Sequence, residues 1–353
     1  MRTHTIRWAA IALAAVATLA APRPAAAQSV EKPAVSLMLD WTIAGTHAPF
    51  FIPLDKGYYR AEGLTSVKID RGTGAGNTAN NVASGVYDFG WADVTTLVAF
   101  DAQNPGKELT LVYVSFQDAP LAVVSLKPNE IRSLKDLAGK TVADQYGSAA
   151  GAVINFVTKA GTPDEIKITR KFVSPQLREP MLIKREVDAI LAFDVSSIMT
   201  LVDLGVPRDR ISVLRYADIG FDVYGTGLWV RRDVMEKNPR TVAAMVRAVN
   251  RGTKDAIANP AAAAEMMTKY APLLKPNIEC QRLLIALEHH LNADVAKHGL
   301  SYVDPRRMQR TIEQVVRVQK FDRTPALDHV WTDRFLPPEA ERIPPPLGTC
   351  EAK

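Results

Sequence analysis

Residues 35–39 form an unbroken apolar run, which predicts a buried strand. The run stops at Asp40 and Trp41, a loop containing Gly45 follows, and Thr46, His47, Ala48 and Pro49 open a helical segment ending near Lys56 and Gly57. Pro53 lies inside that segment and should kink it, because it brings no N–H. The pattern then recurs. Period-two or fully apolar runs at 65–70, 85–96, 109–116, 121–125, 166–173, 187–192, 211–216 and 224–230 predict strands. Helical spacing at 79–84, 96–101, 149–159, 176–185 and 195–204 fills the gaps between them, and a helix, Gly turn and strand occupy 131–143. From Asn238 onward the chain predicts helices only, starting at Asn238 and Asn259 and running over 277–297. A proline-rich tail follows at 336–353.

Strands alternating with helices predict an α/β class with parallel sheets. Two stretches interrupt the rhythm, 115–121 and 221–227, and both read as crossings between domains. The predicted first domain is therefore 34–117 plus 225–335, with the late helices, and the second is 118–224.

The start of the chain changes the length to be folded. Arg2 and Arg7 precede an apolar stretch at 8–21, and Ala25, Ala26 and Ala27 give a small-residue cleavage pattern, so 1–27 reads as a secretory signal peptide. The remainder is too long for one small core and suits two domains. Removing Arg2, Arg7 and Arg23 takes the 43 basic residues to 40, against 38 acidic ones, so charge gives no argument for nucleic acid or a membrane surface. Two cysteines, Cys280 and Cys350, permit one disulfide in an oxidising compartment, stapling the tail to a late helix; sequence leaves open whether they pair.

Ligands of open α/β sheets bind beyond the carboxyl ends of strands. Trp41 at such an end offers a flat face, and Asp40 a charged acceptor. His47, at the following helix start, could donate to a ligand or be a satisfied structural histidine. A glycine-rich turn with Gly74, Gly76, Asn77 and Thr78 follows the second strand, and its amides could bind an anionic or polar atom. It lacks the Gly-Lys-Ser/Thr ending of a phosphate-binding loop. Gly147 and Ser148 are its counterpart in the second domain, with a plain N-cap as the alternative for Ser148. Phe193 and Asp194 repeat the aromatic-plus-carboxylate strand end, although Asp194 could merely cap the next helix. Tyr224, at the second crossing, joins the candidates.

The string Leu39-Asp40-Trp41, His47-Ala48-Pro49-Phe50-Phe51, Asp55-Lys56-Gly57-Tyr58-Tyr59 and Glu62-Gly63-Leu64 resembles ABC-transporter substrate-binding proteins of the thiamine-pyrimidine-precursor and alkanesulfonate type. Ser133, Asp136, Leu137, Gly139, Lys140 and Val142 resemble a second signature of that family, and 238–260 its closing helices. The resemblance implies a periplasmic-binding-protein-like fold with a central cleft and two hinge crossings. It implies that residues after the third strand line the cleft, which adds Asp93 and Thr95, with helix capping as their alternative. It implies a monomer without a cofactor, exported to the periplasm, that closes on a small solute and delivers it to an ABC permease with its ATPase. A pyrimidine thiamine precursor is the favoured solute; an organosulfonate or aromatic carboxylate is the alternative.

The resemblance extends to thiamine-pyrimidine synthases, which use a lysine-bound pyridoxal phosphate and a reactive histidine. Their Cys-rich motif is absent here. An exported sensor is a third possibility. No nucleophile motif is present. Glu288, His289 and His290 do not have metal-chelating spacing, so no metal is expected. No basic-aromatic stripe suggests nucleic acid.

Overall fold

β1 (Ala34–Leu39), β2 (Ser66–Asp70), β3 (Phe89–Asp93) and β4 (Leu109–Val114) join β10 (Thr226–Arg231) in one sheet, in the order β2-β1-β3-β10-β4. β5 (Leu121–Leu126), β6 (Thr141–Asp144), β7 (Thr169–Phe172), β8 (Ala189–Phe193) and β9 (Ile211–Arg215) form the other, in the order β7-β6-β8-β5-β9. These strands belong to a computed structural model that describes residues 29–351. The segment 1–27, read from the sequence as a signal peptide, lies outside the described residues.

The two sheets share one plan. Three strands run parallel, and the fourth position is taken by an antiparallel strand that has just crossed from the other lobe: β10 against β3 and β4, β5 against β8 and β9. β1 sits inside its sheet, with Leu37 opposite both Ile69 and Phe89. That placement explains its apolar run, because a strand covered on both faces has no polar side. Every strand of the first sheet falls within 34–117 or 225–335, and every strand of the second within 118–224.

The crossings run side by side. The Ala119 N–H donates to Val223 O at 3.1 Å, and the Gly225 N–H to Phe116 O at 3.0 Å. Gly225 permits this approach, since a Cβ there would lie 2.6 Å from Asp118 O and 2.7 Å from Phe116 Cβ. One apolar cluster is continuous across the lobes and includes Val98 and Leu111 from the first and Val123 and Val142 from the second.

Several helices differ from the sequence reading, three of them near the cleft-forming elements or the late helices. Helix Ala48–Asp55 runs through Pro53 without a break. The close neighbour is Gly252 of helix Pro239–Ala258, where a Cβ would fall 2.3 Å from Pro49 O and 2.6 Å from Pro53 Cδ. The helix expected at 149–159 is two single turns, Ala149–Ala152 and Ile154–Val157. The helix expected at 277–297 is Pro276–His290 followed by Ala293–His298, divided where Asn292 accepts from the Val295 N–H and caps the second piece.

The tail is packed rather than loose. The Gly348 N–H donates to Ile257 O at 2.8 Å, Arg342 bonds Leu300, and Cys350 pairs with Cys280 with a Cα–Cα distance of 5.7 Å. Among the described residues no helix is long and apolar enough to cross a membrane.

Candidate functional site

The cleft between the lobes encloses about 260 Å³. Of the residues singled out in the sequence, Asp40, Trp41, His47, Gly74, Gly147, Ser148 and Phe193 line it. They come from both lobes, at the carboxyl ends of β1 and β8 and at the turns after β2 and β6. The glycine turns meet as lips: a Cβ on Gly74 would lie 3.4 Å from Gly147 O, and one on Gly76 would lie 3.9 Å from Gly147 Cα. Gly76 belongs to that lip and not to the cavity wall.

Asp40 is 7% exposed, and its Oδ1 is buried without a hydrogen-bond donor among the described residues. His47 faces it, with Nε2 3.7 Å from Asp40 Oδ1. His47 Nδ1 accepts from the Ala44 N–H at 3.1 Å, so in the neutral ring the proton sits on Nε2, facing Asp40. Trp41 is half-buried at the cleft wall. The Arg178 guanidinium of the opposite lobe stands 6.0 Å from the centre of its ring.

Six other candidates lie outside the cavity wall, each for a definable reason. The Asn77 side chain donates to Thr73 Oγ1 at the surface. Thr78 is fully buried and donates to Leu39 O at 3.0 Å, fastening its helix to β1. Asp93 caps helix Val94–Gln103 by accepting from the Thr96 N–H at 3.0 Å, and Thr95 donates to the same carboxylate. Burial pushes Asp93 up to about 6 against the hydrogen bonds from Thr95 and Thr96. Asp194 is buried and turned away from the cleft onto Arg215 and His289. Burial opposes its ionisation, yet those two partners outweigh burial and hold its carboxyl below the usual range. Tyr224 is buried, and its hydroxyl accepts from the Asp304 N–H at 2.9 Å under the Arg307 guanidinium.

The cavity also holds residues the sequence reading passed over. Trp91 and Phe116 supply an apolar floor, their rings 5.6 Å apart edge to face, and Trp91 Nε1 donates to Ser115 Oγ at 3.0 Å. Arg178, only 4% exposed, donates to Leu191 O, Ser197 Oγ and Glu179 Oε1 at 3.1, 3.1 and 2.7 Å. Glu279 Oε2 accepts from the Gly45 N–H at 2.6 Å and from Arg282 Nε at 3.1 Å, so a late helix holds the loop that follows Trp41. The pair Glu279 and Arg282 has the i, i+3 spacing of a helical ion pair, a signal visible in sequence that gives no location. His289 and His290 serve separate partners: His289 bonds Asp194, while His290 bonds Ala286 O and is driven by burial down to about 4. Among the described residues no group of three or more metal-ligating side chains converges.

A family model described as NMT1/THI5 like matches residues 44–263. The chain belongs to the NMT1/THI5-like family. Similar proteins include the riboflavin-binding protein RibY of Chloroflexus aurantiacus, 26% identical over 337 residues that cover 92% of this chain and 91% of that one. The 4-amino-5-hydroxymethyl-2-methylpyrimidine phosphate synthase of Aspergillus parasiticus is 24% identical over 251 residues, covering 68% of this chain and 71% of its own. Among solved structures, the alkanesulfonate-binding protein SsuA from Xanthomonas axonopodis pv. citri, bound to MOPS, superposes with a TM-score of 0.62 at 17% identity, over 86% of this chain and 99% of that one. The NMT1/THI5-like chain therefore has the periplasmic-binding-protein-like fold.

Proposed function

We propose that the chain is the exported solute-binding component of an ABC importer, and that it closes on a small planar nitrogen heterocycle. The observation that carries this is Asp40. A buried carboxylate oxygen without a donor is costly, and Asp40 Oδ1 is one, on a residue that lines the cavity together with Trp41. A heterocycle bearing an amino group or ring N–H supplies the missing donor while its face meets the indole. The hinge of paired crossings and the lips at Gly74 and Gly147 support capture by closure. Micromolar affinity needs about 8 kcal/mol net, within reach of one stacked ring and a few satisfied hydrogen bonds in a dry cleft.

The synthase relatives raise an enzymatic reading. The pyridoxal phosphate attached to it requires a lysine amine free to bond it; among the described residues no lysine lines this cavity, and Lys275 at its edge is paired with Asp203. The residues present do not fit that group, and a binding role accounts for them. Anionic solutes fit less well, since the two arginines of the wall, Arg178 and Arg282, are already paired with Glu179 and Glu279, while Asp40 adds a negative charge.

The test is a calorimetric panel of amino- and imide-bearing heterocycles, including riboflavin and 4-amino-5-hydroxymethyl-2-methylpyrimidine, beside alkanesulfonates and aromatic carboxylates. A heterocycle should bind, and Asp40→Asn should weaken it at least tenfold. Binding confined to sulfonates or carboxylates, or insensitive to Asp40→Asn, overturns the reading.

A further inference from the structure

The cavity continues past Trp41 into a groove between helix Asp194–Asp203 and helix Pro276–His290. Ser196, Thr200 and Asp203 recur at spacings of four and three, so they share one helix face that runs for about 10 Å. Leu274, Glu279 and Arg282 form the opposite wall. The Lys275–Asp203 ion pair, at 2.6 Å, marks the far end.

The polar groups of this groove are incompletely used. Arg282 is 7% exposed and bonds Glu279 through Nε and Ser196 O through Nη1 at 2.6 Å, while its Nη2 bonds no described residue. Ser196 Oγ donates to Phe193 O and Thr200 Oγ1 to Ser196 O, at 3.0 and 2.9 Å, which leaves both hydroxyls free to accept. The groove thus offers a donor at Arg282 and acceptors at Ser196, Thr200 and Glu279. A mixed set matches groups that both donate and accept, which describes hydroxyls. A bare anion would find both cations of the groove already paired, Arg282 with Glu279 and Lys275 with Asp203.

We propose that this groove is a tail subsite that takes a hydroxylated chain carried by a planar ring seated at Trp41. The ligand class is then a nitrogen heterocycle with a polyhydroxyl substituent rather than a bare ring. This rests on the heterocycle reading above and adds a second half to the ligand.

The experiment compares riboflavin with lumiflavin, the same ring system bearing methyl in place of the ribityl chain, by quenching of flavin fluorescence. 4-Amino-5-hydroxymethyl-2-methylpyrimidine serves as a compact control by calorimetry. Riboflavin should bind about 30-fold tighter than lumiflavin, as two net hydrogen bonds imply. Arg282→Gln should bring the two within about fivefold of each other, by loss of one charged donor. Thr200→Val, a near-isosteric change outside the Glu279–Arg282 ion pair, should narrow the ratio as well and covers the case in which Arg282→Gln does not fold. Equal affinities of the two flavins, or a ratio that survives both substitutions, overturns the tail subsite and leaves the ring reading intact. Tight binding of the pyrimidine with neither flavin bound also overturns it. Failure of every heterocycle removes the reading beneath it.

Discussion

His289 reaches Asp194 across the two lobes, its Nε2 lying 3.1 and 3.3 Å from the two carboxylate oxygens. The histidine sits on helix Pro276–His290, within the 225–335 part of the first lobe, and the aspartate opens a helix of the second. Replacing His289 with Leu removes one partner and leaves Arg215 to hold the charge. The expected cost is about 2 kcal/mol, in the range for a hydrogen bond to a charged group. Urea unfolding at pH 7 measures it, and small-angle scattering of the ligand-free protein should show a larger radius of gyration than the wild type.

Trp41→Ala should weaken the best heterocyclic ligand by at least about tenfold, since aromatic anchors dominate desolvated contacts. The ring is half-exposed, so thermal unfolding of the ligand-free protein should change little. Calorimetry and a melt on one preparation separate the two effects.

Asp93 makes stability depend on pH. Its folded-state value near 6 lies above the unfolded value of about 3.9. Its contribution is therefore fully present below pH 4 and is lost as pH rises through 6. Two units correspond to roughly 3 kcal/mol. Asp93→Asn retains a capping oxygen and cannot ionise, so unfolding free energies measured from pH 4 to pH 7 should fall less steeply than in the wild type.

Gly225→Ala places a methyl 2.6 Å from Asp118 O and 2.7 Å from Phe116 Cβ, where backbone cannot yield easily. Overpacking of this kind costs about 1–3 kcal/mol. A drop in denaturation midpoint is expected, together with faster ligand release in stopped-flow, because the paired crossings are pushed apart.

Removing the Cys280–Cys350 bond frees a loop spanning a sequence separation of 70 residues. The chain-entropy model places the loss at about 4 kcal/mol. Melting of a Cys280→Ser/Cys350→Ser double variant, compared with the wild type with and without reductant, tests this; the reduced wild type should match the variant.

The strand-end logic placed half of the sequence candidates at the cleft wall. Asp40, Trp41 and Phe193 stand where strands stop, and Gly74 and Gly147 where turns bring backbone to the opening. The same logic failed one residue further on: Phe193 faces the cleft while Asp194, its neighbour, turns to Arg215 and His289. A strand end specifies position and not the direction of each side chain. Asp93 and Thr95 have the composition of a cleft pair, yet they satisfy their own helix start. Arg178, Glu279 and Arg282 were illegible for a different reason. Their roles depend on partners at Trp41, Gly45 and Ser196, which are distant in the chain, and no local pattern encodes such a meeting. The disulfide was open in sequence because spacing alone gives no distance; the packed tail brings the two sulfurs together.

Helix Pro276–His290 has a mechanical consequence. It is fastened to the second lobe through Lys275, Arg282 and His289, and covalently to a tail that lies on the first. Under the proposed closure, parting of the two halves has to break those ties or leave that edge clasped while the glycine rims separate.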